Sequence, residues 1–391
     1  VLNAYSNNKK IVTLLNRSSK DIEALKSEDY YCPACKQPLY IKNGRVKVPH
    51  FAHFAESGCS FYTEAETKEH LALKQVFAKW CEQQQLPYEV EKFLPALNQR
   101  PDLLIGNLAV EIQCSPLSIK RLIERTRCYQ KHGYQPLWIC GKKLIIDLNK
   151  LNELTKNLSY YSKKLGFYLW AADDEKKELM LLYHLEEDWS KKLYAAKKTW
   201  KFYQKDLLEI FNFPQNALLY LQRKHKSGRL VEDYYVALEK RLVRKDERVR
   251  VVQSVLYNKR LHILNLPYWF YAPGLHLFCC RHSDLLLKYR IWTVVRFFDQ
   301  NVVCTADFLA ALKNELKQAQ DLFCPLPNVA TEQLQNYCLQ YLMKSLIACG
   351  HLVMDSCGCM LTVSSDGRLS EQLKSFRNEC VISATPIKNM I

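Results

Sequence analysis

The stretch at 100–114, RPDLLIGNLAVEIQC, limits the fold more tightly than any other part of the chain. Gly106 and Asn107 tolerate the positive φ of a tight turn, so the apolar runs on either side pair as a hairpin. In the second run Leu108, Val110, Ile112 and Cys114 fall on one face and Ala109, Glu111 and Gln113 on the other. That pairing brings Asp102 close to Glu111. Around the hairpin, Leu73, Val76, Phe77 and Trp80 recur at helical spacing and predict a helix over 64–82. Strands are expected at 88–94, 100–105 and 108–114, a second helix at 118–132 and a further strand at 136–140. Helix, three strands, helix, strand is a compact α/β unit over 61–148.

Two acids on neighbouring strands repel each other, and a bound cation such as Mg²⁺ is the best explanation for placing them there. Glu69 adds a third. It lies one helical turn before Leu73, on the face of Leu73, Val76 and Trp80, so its carboxylate points toward the sheet. A charge on an inward face needs a partner, either a metal or one of His70 and Arg100. For each acid alone an ordinary salt bridge is the competing explanation.

Ahead of this unit, residues 1–60 carry Cys32-Pro-Ala-Cys35, His50-Phe-Ala-His53 and Cys59 among short strands and turns. A C-x2-C knuckle presents two thiolates to one ion, and two further N or S donors complete a tetrahedron. One structural zinc held by Cys32, Cys35, His53 and Cys59 is expected. His50 competes with His53, but strand alternation turns the two imidazoles to opposite faces. A closed site of this kind supports folding rather than chemistry. The competing reading is a reduced CxxC beside unrelated histidines.

Residues 149–391 read as a basic, mostly helical domain. Between Lys150 and Arg260 there are 24 Lys and Arg against 15 Asp and Glu. Lys191, Lys192, Lys197, Lys198, Lys201 and Lys205 interleave with Tyr194, Trp200, Phe202 and Tyr203. Such a stripe can hold single-stranded nucleic acid, but more often it is a solvated lysine face over core aromatics. A helix over 331–349 followed by a hairpin over 352–363 resembles a winged helix, although Lys344 is its one clear cation. Over the whole chain 56 Lys and Arg face 40 Asp and Glu, a surplus of +16 that favours a polyanionic partner. Most of the sixteen cysteines stand singly in apolar runs, no secretory leader opens the sequence, and no span is fit for a membrane. A cytoplasmic location is expected.

Taken together, Cys32-Pro-Ala-Cys35, Pro49-His-Phe-Ala-His53, Glu69-His70, Arg100-Pro-Asp102, Glu111-Ile-Gln113-Cys-Ser115, Glu124-Arg-Thr-Arg-Cys-Tyr129 and the Trp138-Ile139 strand resemble the competence protein CoiA family, in that family's order. The resemblance covers roughly residues 1–145 and is weaker from Leu266-Pro-Tyr-Trp to Trp292. It implies a nuclease-like module similar to the PD-(D/E)xK superfamily, with Asp102 and Glu111 as acids binding Mg²⁺ or Mn²⁺ and Glu69 as the acid on the first helix. Gln113 stands where that superfamily usually has Lys, and a neutral amide there replaces a positive charge beside the phosphate. Arg125 or Tyr129, on the second helix, is placed by the resemblance at the phosphate backbone. The implied role is processing of single-stranded DNA in natural transformation and recombination, near recombination proteins such as RecA. The alternative is an adaptor that keeps the fold, binds DNA and recruits those proteins without cleaving.

Overall fold

The computed structural model describes residues 1–15, 17–44, 49–54, 67–145, 151–188, 192–216, 227–272, 274–281 and 283–365, with the backbone alone at 19, 227–230 and 248. The chain forms two compact units. One comprises Val1–Tyr160, Tyr168–Tyr183 and Ala196–Asn216, and the other Tyr161–Phe167, His184–Ala195 and Ala217–Ile391.

The first unit opens with strands β1 (Asn3–Ser6) and β2 (Ile11–Thr13) and the short helix α1 (Ser19–Leu25), which a Ser18–Asp21 capping box starts. Strands β3 (Tyr30–Tyr31), β4 (Pro38–Lys42) and β5 (His50–His53) follow. They form a sheet in the order β2-β1-β3-β4-β5 over a small core of Ala4, Leu14, Ile22, Tyr30, Leu39 and Phe51. So few apolar side chains stabilise a sheet poorly without a staple.

Next come α2 (Lys68–Gln83), β6 (Glu89–Val90), β7 (Leu103–Ile105), β8 (Leu108–Gln113), α3 (Ile119–Lys131) and β9 (Gln135–Gly141). Strands β7 and β8 pair antiparallel from Leu103↔Val110 to Ile105↔Leu108, and Gly106 turns the hairpin at φ +59°. Strand β9 lies parallel to β8, with Glu111 opposite Trp138, and α3 makes the crossover that a parallel pair requires.

The sheet does not stop at 148, which corrects the expected domain boundary. Beyond the short helix α4 (Glu153–Asn157) and strand β10 (Tyr160–Ser162), β11 (Gly166–Asp173) pairs parallel to β9, with Trp170 opposite Ile139. Strands β12 (Glu178–Asp188) and β13 (Leu193–Lys201) extend the order to β13-β12-β11-β9-β8-β7-β6. Long helices were expected here, and strands stand instead. The physical reason is double burial: nearly every residue of β11 is buried, so the strand lacks the alternation that marks one exposed face. Trp200 and Phe202 are core residues, their rings 5.9 Å from those of Trp170 and Trp80 respectively, while Lys192, Lys197, Lys201 and Lys205 face solvent. Of the stripe, Trp200 and Phe202 belong to the core, Tyr194 is half-buried, Tyr203 is exposed, and Lys191 lies outside the described residues. Helices α5 (Leu207–Phe211) and α6 (Phe213–Asn216) end this unit.

The second unit is largely helical: α7 (Ser227–Val243), α8 (Glu247–Tyr257), α9 (Leu285–Phe297), α10 (Thr305–Gln318) and α11 (Thr331–Ala348). Strand β14 (Leu275–His276) pairs with the end of β12, where His276 Nε2 lies 3.1 Å from Glu187 Oε2 in the interior. Strands β15 (Val302–Cys304), β16 (Leu352–Met354) and β17 (Met360–Val363) make a small sheet in the order β15-β17-β16. Among the described residues no helix is long and apolar enough to cross a membrane.

Candidate active site and metal centre

The hydroxyl of Thr67 accepts a hydrogen bond from His70 N and starts α2, so its first turn carries Glu69 and His70 together. Glu69 is turned inward, as its helical phase predicts, and is 5% exposed. Neither His70 nor Arg100 takes it: both carboxylate oxygens lack a hydrogen bond of ordinary geometry. The carboxylate rests on Gly141 at the end of β9, beside the thiol of Cys114. Burial raises its pKa, and the backbone N–H groups of Lys142 and Lys143 offset this only in part.

Asp102, just before β7, is turned toward α2. Its Oδ2 accepts a hydrogen bond from Ile112 N at 2.8 Å and lies 3.0 Å from His70 Nε2, while Lys74 Nζ is 3.4 Å from Oδ1. Burial pushes this carboxyl up, but His70, Lys74 and the Ile112 N–H outweigh it and hold the group well below the usual carboxylate range.

Glu111 is turned the other way, toward α3. Tyr129 Oη donates to Glu111 Oε1 at 2.6 Å, and the Arg125 guanidinium donates to the same oxygen. Tyr129 is fully buried, and burial together with the Glu111 charge lifts its hydroxyl well above its ordinary range, keeping it a donor. Gln113 Nε2 donates to Ser115 O at 2.8 Å. Arg125 and Tyr129, expected at a phosphate backbone, are thus spent on Glu111. The reason is the alternation of β8, which places Glu111 under α3 in a site that must neutralise it.

The expected gathering of Glu69, Asp102 and Glu111 on one ion is not what the fold presents. Asp102 and Glu111 each have protein cations of their own. Glu69 and Asp102 share the α2 side, where the charges of both act on Cys114 and help raise its thiol pKa after burial. A buried carboxylate without a side-chain hydrogen bond, seated where a Cβ would intrude, fits a cation, and Mg²⁺ commonly takes only one or two carboxylates and keeps its waters. Glu69 is the residue that would hold it, and Asp102, on the same side, would join by exchanging its contact with His70 or Lys74 for the ion. The sequence reading missed Lys74, Glu91 and Gly141. A lysine in phase with His70 and Phe77 was the available signal for the first.

In the N-terminal sheet, Cys32, Cys35 and His53 present one ligand atom each within 4.8 Å of one another, with Cys35 Sγ 3.3 Å from His53 Nε2. Among the described residues this is the one such group of three or more. The Cys32 sulfur accepts hydrogen bonds from the N–H groups of Ala34 and Cys35, both at 3.3 Å, which favours a thiolate. Burial, with the N-terminal amine and then Arg100 adding to it, lowers the His53 pKa and favours the neutral imidazole that a metal requires. Two thiols and one imidazole fit a thiophilic ion. His50, three residues from His53 on β5, is outside the group, and Cys59 lies outside the described residues.

The mixed α/β domain with inward-turned acids, preceded by a Cys2His group that could hold a metal, is of the nuclease-like class by its family model. The family model for the nuclease-like domain of competence protein CoiA matches residues 66–215, and that for the N-terminal domain of competence protein CoiA matches residues 14–62. Competence protein CoiA of Bacillus subtilis (strain 168) is 33% identical over 123 residues. That match spans 30% of this chain and only 33% of the relative's length. No solved structure matches. The chain belongs to the competence protein CoiA family.

Proposed function

We propose that this protein processes single-stranded DNA during natural transformation and recombination, and that its nuclease-like domain hydrolyses phosphodiester bonds with Mg²⁺ or Mn²⁺ held by Glu69 and Asp102. The observation that carries this reading is Glu69, a buried carboxylate with no side-chain hydrogen bond, whose charge the backbone N–H groups of Lys142 and Lys143 meet only in part. When bound, a divalent ion polarises a phosphate oxygen and lowers the pKa of the attacking water. The chain's own part is to keep Asp102 ionised, through His70, Lys74 and Ile112 N–H, and to hold Glu69 out of water. In this reading Cys32, Cys35 and His53 bind a structural zinc, with Cys59 as fourth ligand. The protein then works in the cytoplasm, where incoming single strands meet recombination proteins such as RecA.

A second reading is supported by Glu111 and Gln113. Both face inward and are engaged by Arg125, Tyr129 and Ser115 O, as in a domain that keeps the fold but binds DNA as a non-cleaving adaptor. Labelled single- and double-stranded DNA incubated with the full chain and Mg²⁺ or Mn²⁺ separates the two. Metal-dependent cleavage lost in Glu69→Ala and Asp102→Ala supports hydrolysis. Binding without cleavage, unchanged by both substitutions, supports the adaptor.

A further inference from the structure

Burial closes most of the described cysteines to solvent. For Cys81, Cys114, Cys140 and Cys279 it also lifts the thiol above its ordinary range, which makes those groups inert. Among the described residues three cysteines are exposed, and they lie together in sequence register. Cys304 ends β15 opposite Met360 of β17, and Cys357 and Cys359 sit in the loop that joins β16 to β17.

That loop is built around Asp355. Gly358 N donates to Asp355 O at 3.1 Å and closes a turn, with Gly358 at φ +75°, a region glycine enters without steric cost. The Asp355 carboxylate accepts from Met360 N at 3.2 Å and from the Cys357 thiol at 3.0 Å. Thr305 holds the other side: its N–H donates to Cys359 O and its hydroxyl to Gly358 O, both at 2.9 Å. Two exposed thiols, one residue apart, are thereby fixed on a single anchored turn. They also meet each other, since the N–H and the thiol of Cys359 both act on the Cys357 sulfur.

The two are not equivalent. The Asp355 carboxylate takes the Cys357 thiol but only the backbone N–H of Cys359. Its hydrogen bond is the largest cause raising the Cys357 pKa, so it keeps that sulfur protonated. Cys359 Sγ has the Cys357 carbonyl at 3.8 Å, a weak contact.

We propose that Cys357 and Cys359 form a redox-active dithiol that exchanges with low-molecular-weight disulfides. In the first step the Cys359 thiolate attacks one sulfur of a disulfide R–S–S–R, forms a mixed disulfide and expels RS⁻, which takes up the proton that Cys359 released. In the second, Cys357 Sγ attacks Cys359 Sγ and expels the other RS⁻, and the Cys357 proton passes through Asp355 to that leaving group. One S–S bond is broken and one formed. The protein gives up two hydrogens with their electrons, and the small disulfide becomes two thiols. Exposed disulfides of this kind reopen readily and are the regulatory ones. Closure draws Cys357 Sγ off Asp355, in the turn that Thr305 ties to the start of α10. This chemistry is independent of phosphodiester hydrolysis.

The test incubates the reduced full chain with oxidised glutathione, alkylates the remaining thiols and maps the linkages by mass spectrometry of proteolytic peptides. The parent yields a peptide in which Cys357 and Cys359 have lost two hydrogens and resist alkylation, with no lasting mixed disulfide. Cys357→Ser traps glutathione on Cys359. Cys359→Ser takes it up at Cys357 about tenfold more slowly, and Asp355→Asn added to that variant restores the rate. Cys304→Ser behaves as the parent does, and far-UV circular dichroism confirms the fold of every variant. A linkage from Cys304 to Cys359, glutathione that persists on the parent without closure, or no reaction in the loop overturns the proposal. Equal rates in the two single variants overturn the part given to Asp355.

Discussion

Glu69 lies against the bare α-carbon of Gly141: a methyl group built there would stand 2.8 Å from Glu69 Oε1 and 2.5 Å from Cys114 Sγ. Gly141 has φ −69° and ψ 158°, a conformation open to any residue, so glycine is needed there for space and not for backbone freedom. Gly141→Ala should therefore destabilise the protein by about 1–3 kcal/mol through overpacking. Glu69→Ala in the same chain makes room and should recover part of the loss. Urea unfolding of the two single variants and the double checks this, and a Gly141→Ala protein as stable as the parent would show that the carboxylate does not sit there.

The same carboxylate gives a pH dependence of definite sign. Its folded pKa is raised above the ordinary value of 4.5 by burial. The folded protein thus holds this proton more tightly than the unfolded chain does. Stability is greatest below the unfolded value and declines as pH rises through the folded one. Glu69→Gln should be about 1 kcal/mol more stable than the parent at neutral pH, because a buried charge that the backbone compensates only in part is gone. Mn²⁺ should raise the melting temperature of the parent and not of the variant. Asp102 acts in the opposite sense. Its pKa is depressed from 3.8, so its contribution is present above that value and is lost as pH falls through the folded pKa. A Glu69→Gln protein that melts lower than the parent at pH 7 would sink the account.

Glu111 and Arg125 make a buried pair, with side chains 3% and 13% exposed. Removing one partner strands the other in the interior, so Arg125→Met should cost about 3 kcal/mol. Glu111→Gln added to it should restore most of that. Tyr129→Phe removes a hydrogen bond to a charged group and should cost about 2 kcal/mol. Denaturant midpoints of the four proteins form the check. An Arg125→Met variant that keeps parental stability but loses DNA affinity would instead return Arg125 to the phosphate contact expected from the sequence.

The hairpin around Gly106, the helices that flank it and the inward phase of Glu69 were legible because each rests on local periodicity. Partner choice was not. Alternation along β8 places Glu111 beside Gln113, but whether Arg125, Tyr129 or a metal meets Glu111 depends on how α3 docks, which no spacing within one element encodes. Lys74 was hidden for a related reason, since a lysine on the apolar face of α2 reads as a solvated side chain until Glu91 arrives from seventeen residues away. Strands β11 and β12 were concealed by burial on both faces.

The Cys/His centre and the acidic site are joined through short backbone links, which makes metal removal readable at a distance. Strand β1 pairs with β3, Tyr5 opposite Tyr31, immediately before Cys32. Phe51 N donates to Val1 O at 2.7 Å, two residues before His53. The same N-terminal strand then offers Leu2 N to Glu91. With so small a core, a metal held by Cys32, Cys35 and His53 would supply much of this sheet's stability, as in other small metal-stapled folds. The freshly purified, unchelated protein should carry about one zinc per chain. Stripping it, or replacing Cys35 with Ser, should cut hydrogen-exchange protection at Leu2 and along β1 at least tenfold while leaving the amides of α3 unchanged. Protein that contains no metal as purified, or whose β1 amides exchange equally slowly with and without chelator, would separate the N-terminal sheet from the site it abuts.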